Sequence, residues 1–161
     1  MNRFIGFIEG WEKPYSHFGA ELQRTGYVWG THYLPHDAEH KRQQGSVIAS
    51  PLDELSKLAI GGSWDVVERI PDLQHGIQMT RAAFSTYYFD EAACKDGLIH
   101  LAGYKKKWNR SAGAWSDEPL KNKHTEAADA LRQHAQGFAA PIEREREERK
   151  RRANSRNWKT R

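Results

Sequence analysis

A single cysteine, Cys94, is present in 161 residues, which excludes an internal disulfide and any zinc site built from several thiolates. No apolar run approaches the ~20 residues that a bilayer span requires. The opening stretch Met1-Asn2-Arg3-Phe4-Ile5-Gly6-Phe7-Ile8 is too short for a signal peptide and carries no small-residue cleavage site, so the expected compartment is the cytoplasm. No G-x-x-x-x-G-K-[ST] loop occurs, and Ile60-Gly61-Gly62-Ser63 is a poor substitute, which argues against ATP hydrolysis. No serine or cysteine sits in a nucleophile elbow, and Cys94 falls on the apolar face of an expected helix and reads as core. There is no internal repeat.

What the chain does contain is enough apolar material for one domain. Hydrophobic residues make up 38% and charged residues 29%, the balance of a globular protein with a polar periphery. The net charge of +4 is unevenly placed. Residues 141–161 hold nine Lys/Arg and four Glu, whereas residues 1–140 hold 16 basic and 17 acidic groups. The basic end reads as a disordered or solvated helical tail. Such tails either bind nucleic acid through counterion release or simply stay solvated.

Periodicity predicts alternating strands and helices. Arg3 to Ile8 reads as a strand ending at Glu9-Gly10, followed by a helix from Tyr15 to Arg24 with Tyr15, Phe18 and Leu22 on one face. Tyr27 to Leu34 is a second strand, stopped by Pro35. Residues 38–50 read as a loop, and Pro51 opens a short helix with Leu52, Leu55 and Leu58. Trp64 to Ile70 is a third strand. The second half reads as helical over residues 74–88, 91–108 and 125–136, with a loop at Gly113 and Pro119. The stripe of the last helix is Ala128, Leu131, Ala135 and Phe138. Strands alternating with helices imply an α/β domain with parallel pairing, and three strands make a thin sheet.

Two acids stand out by placement. Asp37 follows the apolar run His32-Tyr33-Leu34-Pro35, at the carboxyl end of a strand, where open α/β sheets place their ligand sites. The alternative, commoner in general, is a turn or helix-cap aspartate. Asp129 lies off the apolar stripe of the last helix, facing either a cleft or plain solvent. Glu9 ends the first strand and would lie beside Asp37 if the two strands are neighbours; otherwise it is a loop glutamate. His32, His36 and His40 recur every four residues, but Pro35 breaks the helix that would gather them into a metal site. His124 and Glu126 flank Asp129 as candidate cap or supporting residues.

Taken together, these residues resemble the C-terminal nuclease domain of tailed-phage terminase large subunits, the DNA-packaging motors. The resemblance spans roughly residues 4–138 and rests on Tyr33-Leu34-Pro35-His36-Asp37-Ala38, His75-Gly76-Ile77 with Arg81, and Phe89-Asp90-Glu91 with Cys94, Gly97 and Leu98. Tyr104, Lys107 and Trp108 continue it, and Ala127-Ala128-Asp129-Ala130-Leu131-Arg132 completes it. It implies an RNase H-like fold and a metal-dependent endonuclease that cuts concatemeric double-stranded DNA during packaging. Mg²⁺ or Mn²⁺ would be held by Asp37 and Asp129, with Glu9 as a further catalytic acid. The position three residues before the helical acid, a histidine in many relatives, is Glu126 here.

The resemblance also implies a first strand ending in aspartate, its hairpin neighbour and an ATPase part, none of which this sequence contains. The expectation is therefore a partial, N-terminally truncated RNase H-like domain over residues 1–140, weak or inactive as a nuclease alone. Its implied partners are DNA, the ATPase part, the small terminase subunit and the portal, with no membrane. Two other readings stand beside it: a non-catalytic module binding DNA or a packaging partner through the basic tail, and an inert remnant without a stable fold.

Overall fold

The computed structural model describes residues 1–44 and 47–137 and shows a mixed α/β protein. The basic tail and Phe138, the last member of the expected stripe, lie outside the described residues. Strand β1 (Asn2–Phe4) leads to helix α1 (Tyr15–Arg24), then β2 (Thr31–Leu34), β3 (Arg42–Gln44), β4 (Val47–Ala49) and α2 (Pro51–Leu55). β5 (Ser63–Val66), α3 (Leu73–Ala83), β6 (Tyr87–Phe89) and α4 (Lys95–Gly103) follow. The hairpin β7 (Lys106–Asn109) and β8 (Ala114–Pro119) precedes α5, which is helical over the described residues 125–137.

Local chemistry accounts for most boundaries. Ser50 caps α2 by accepting from the Asp53 amide at 3.1 Å while Asp53 accepts from the Ser50 amide at 3.0 Å, with Pro51 at the first helical position. Asp72 caps α3 through the Gln74 amide at 2.9 Å. Helix α1 spans Tyr15–Arg24 as its apolar spacing predicts, and Gly26 follows with a left-handed φ of 67°.

The parallel pairing expected from strand–helix alternation is present, in two separate places. β1 pairs with β6 in the register Asn2↔Tyr87, and β2 pairs with β5 in the register Thr31↔Ser63. No backbone ladder joins these two pairs among the described residues. Instead α5 touches both. A Cβ on Gly137 would meet Val67 at 3.0 Å and Tyr33 at 3.1 Å, beside β5 and on β2. One turn earlier, the His134 ring lies 5.0 Å from Phe4 and 5.5 Å from Tyr87, on β1 and β6.

Several expectations need correction. The first strand is paired only to Phe4 rather than Ile8, and Tyr27 to Gly30 lie outside the second strand. The expected loop at 38–50 contains the antiparallel pair β3–β4. The third strand stops at Val66, short of Ile70. The helix expected over 74–88 ends at Ala83, passes through a 3₁₀ turn at Phe84–Thr86 and becomes β6. Phe84 and Tyr88 are four apart and mimic a helical face, while Tyr87 and Phe89 alternate as a strand requires. Likewise the helix expected over 91–108 is α4 alone, and Trp108 belongs to a hairpin.

Candidate functional site

Asp37 owes its position to a turn. Pro35, which lacks an amide donor, stops β2, and the turn is closed by the Ala38 amide donating to Pro35 O at 2.9 Å and the His40 amide to Asp37 O at 3.0 Å. Ala38 is buried and its carbonyl accepts from the Leu52 amide at 2.9 Å, anchoring the turn to α2. The carboxylate thus emerges at the carboxyl end of a parallel strand pair.

Asp129 owes its position to helical phase. α5 buries Ala127, Leu131 and Ala135 against the strands, and Asp129 sits off that stripe. Upstream, the Asn122 side chain accepts from the His124 amide at 2.9 Å and the Thr125 hydroxyl accepts from the Asn122 amide at 3.0 Å, fixing where the helix begins.

Asp37 and Asp129 line one cleft of about 680 Å³, together with Tyr33, His36, Glu126 and Arg132. Each carboxylate holds its own cation: Asp37 pairs with Arg42 at 3.1 Å and Asp129 with Arg132 at 3.0 Å. Both carboxylates remain partly accessible, at 44% and 38% of their side-chain surface. The Tyr104 hydroxyl feels the site: burial raises its pKa, and the negative charge of Asp129 raises it further. Arg132 Nε and Gln136 Nε2 are buried donors without a hydrogen-bond partner among the described residues.

Glu9 stands elsewhere. Its carboxylate lies 3.0 Å from His100 Nε2, and His100 Nδ1 lies 3.0 Å from His124 Nδ1. Burial lowers the pKa of His124, with the nearby His100 acting in the same direction. His100 on α4 therefore meets Glu9, which follows β1, and His124, which precedes α5, and neither Glu9 nor His124 is among the residues lining the cleft; Glu126 is. The three histidines spaced by four do not form one site: His32 stacks on Trp64 at 4.3 Å, whereas His36 lines the cleft. Cys94 is core as expected, 3% exposed, and burial pushes its thiol pKa up.

No family model, curated protein or solved structure matches this chain.

The two arginine partners escaped sequence reading. Arg132, three residues after Asp129, follows a legible helical spacing; Arg42 reaches Asp37 only because the chain turns back after β2. As a set, two carboxylates in an open cleft offer hard oxygen donors, the type that suits a hydrated Mg²⁺ or Mn²⁺. The number of donors falls short of a closed cage. Among the described residues no group of three His, Cys, Asp or Glu is placed to hold a metal ion. The fit is to a cation that keeps most of its ligands as water.

Proposed function

We propose that this chain carries part of a metal-dependent DNA endonuclease of the terminase large subunit kind, in an RNase H-like domain. The observation that supports it is the convergence of Asp37 and Asp129, from a strand end and a distant helix, on one cleft. Residues of these types in these two positions are what the resemblance implies for the metal ligands. Asp37 and Asp129 would hold Mg²⁺ or Mn²⁺, which when bound supplies Lewis acidity toward a phosphodiester. Arg42 and Arg132 each pair with one of the two carboxylates and offset part of its negative charge.

The first-strand aspartate implied by the resemblance is not found in this sequence, and Glu9 is engaged with His100. The polypeptide alone is therefore proposed to cut DNA poorly or not at all. Its proposed partners are double-stranded DNA and the remaining packaging components: an ATPase part, a small terminase subunit and a portal. As for membranes, no described helix is long and apolar enough to cross one.

Mn²⁺ titration followed by electron paramagnetic resonance tests the cleft directly. The expected result is binding in roughly the millimolar range, lost in Asp37→Asn and in Asp129→Asn. Binding that survives both substitutions would remove the basis for the reading. Plasmid nicking in Mg²⁺ or Mn²⁺ should be absent or marginal; robust nicking abolished by Asp37→Ala and Asp129→Ala would overturn the proposed inactivity.

A further inference from the structure

The β7–β8 hairpin carries a surface that the cleft does not use. Asn109 accepts the amides of Ser111 at 3.0 Å and Ala112 at 3.2 Å, and Gly113 takes a left-handed φ of 60°, so the turn is built by its own residues. Trp108 and Trp115 oppose each other in the register, and their rings meet edge to face at 5.0 Å. A cross-strand aromatic pair supports a hairpin, yet Trp108 is 46% and Trp115 59% exposed. Much of their ring surface is left to solvent.

The segment that carries this pair is basic. Residues 104–124 hold six Lys/Arg against Asp117 and Glu118, while the rest of residues 1–140 hold ten basic and fifteen acidic groups. Lys106 is tied to Asp117 at 2.7 Å. Lys105, Lys107 and Arg110 make no salt bridge among the described residues, and all three are exposed. A basic patch on an otherwise acidic body selects a polyanion, and open tryptophan faces at its centre select one with flat, unpaired rings.

We infer that the hairpin of residues 106–119 is a binding site for a nucleic-acid strand with unpaired bases, Trp108 and Trp115 stacking the bases while Lys105, Lys107 and Arg110 contact the phosphates. Stacking on tryptophan tolerates any base, and the cations add an affinity that falls with salt. A duplex hides its base faces and offers the hairpin only phosphates. An anionic membrane surface is the other polyanion a Trp/Lys element could meet. The hairpin is less suited to it, because Asn109, Ser111 and Ser116 leave no continuous apolar face to insert. The inference does not depend on the cleft being a nuclease, and strand binding is expected to survive Asp37→Asn and Asp129→Asn.

The test uses the full chain and the fluorescence anisotropy of end-labelled oligomers of about 20 nucleotides, within the reach of such a site. The probes are oligo-dT, oligo-rU, a base-free phosphodiester strand of equal length and a blunt duplex, each at low and moderate salt. Binding of a base-bearing strand about tenfold tighter than the base-free strand is expected, and whichever of the DNA and RNA strands binds tighter identifies the source. Trp115→Ala should erase that preference and Trp115→Phe should keep most of it. Lys107→Gln with Arg110→Gln should weaken every probe and flatten the salt dependence. Equal binding of base-bearing and base-free strands would overturn the inference, as would equal losses in the Phe and Ala variants. Binding confined to anionic phospholipid vesicles would overturn it too.

Discussion

His134 lies where two environments meet. Its ring packs edge to face against Phe4, its Nδ1 is 3.2 Å from the Tyr87 hydroxyl, and it lines both the acidic cleft and an apolar cavity. Burial lowers its pKa, so the fold favours the neutral imidazole. The sign follows from linkage. Above about pH 6.5, the usual histidine value, folded and unfolded chains are both neutral here and the contribution is intact. As pH falls below that value the unfolded chain takes up the proton first, and stability declines until the folded pKa is passed. His124, lowered by burial and by His100, acts in the same direction. The urea midpoint should therefore drop between pH 7 and pH 5, and His134→Phe should reduce that drop. A midpoint that holds or rises on acidification would contradict the assignment. At this scale the sequence allowed Asp37 and Asp129 to be singled out, because a strand end and a helix phase are local patterns. The contact of Glu9 with His100 was not legible, since it joins residues far apart in the chain and depends on how α4 packs.

Between elements, the crossing of α3 and α5 turns on one glycine. A Cβ at Gly76 would lie 2.6 Å from Gln136 Nε2 and 3.1 Å from Arg132 Cδ. Gln136 is 5% exposed and has little room to retreat. Gly76→Ala sets a helix-propensity gain of about 1 kcal/mol against an overpacking cost of about 1–3 kcal/mol. The expected net is a loss of roughly 1 kcal/mol, read as a lower urea midpoint with an unchanged denaturant slope. A midpoint equal to or above that of the parent would mean that α5 shifts without strain. Helices with long apolar stripes, α1 and α5, were readable from spacing because about three turns repeat the same signal. The strands β6 and β7 were not, because three or four residues cannot distinguish a period of 2 from one of 3.6 when aromatics fall four apart, as Phe84 and Tyr88 do. The β7–β8 hairpin was hidden for a second reason. Its turn is made by Asn109 and Gly113 enclosing three residues, not by an adjacent Asn-Gly pair.

Across the molecule, α5 touches both parallel strand pairs, which no backbone ladder joins among the described residues. Their pairing could not be read from the sequence, since Asn2 meets Tyr87 and Thr31 meets Ser63 across long separations that no local pattern encodes. Leu131 is the largest buried side chain described on α5, 6% exposed, and it lines two neighbouring apolar cavities of about 260 and 140 Å³. Leu131→Ala would enlarge the space between them, with an expected cost of about 2–3 kcal/mol, toward the lower end for such truncations because part of the surroundings is already open. The consequence should extend beyond the cavities. If α5 is what makes the two pairs one cooperative unit, loosening it exposes both together. Two amides report on them separately: Val67, which donates to Leu34 O at 2.8 Å, and Asp90, which donates to Phe4 O at 2.9 Å. Hydrogen exchange of both amides should accelerate by a similar factor in Leu131→Ala, about 30- to 150-fold for that loss of stability if exchange proceeds through global opening. Acceleration at Asp90 alone would show that β2 and β5 hold together without α5, and that the protein is two units sharing a helix rather than one fold built around it.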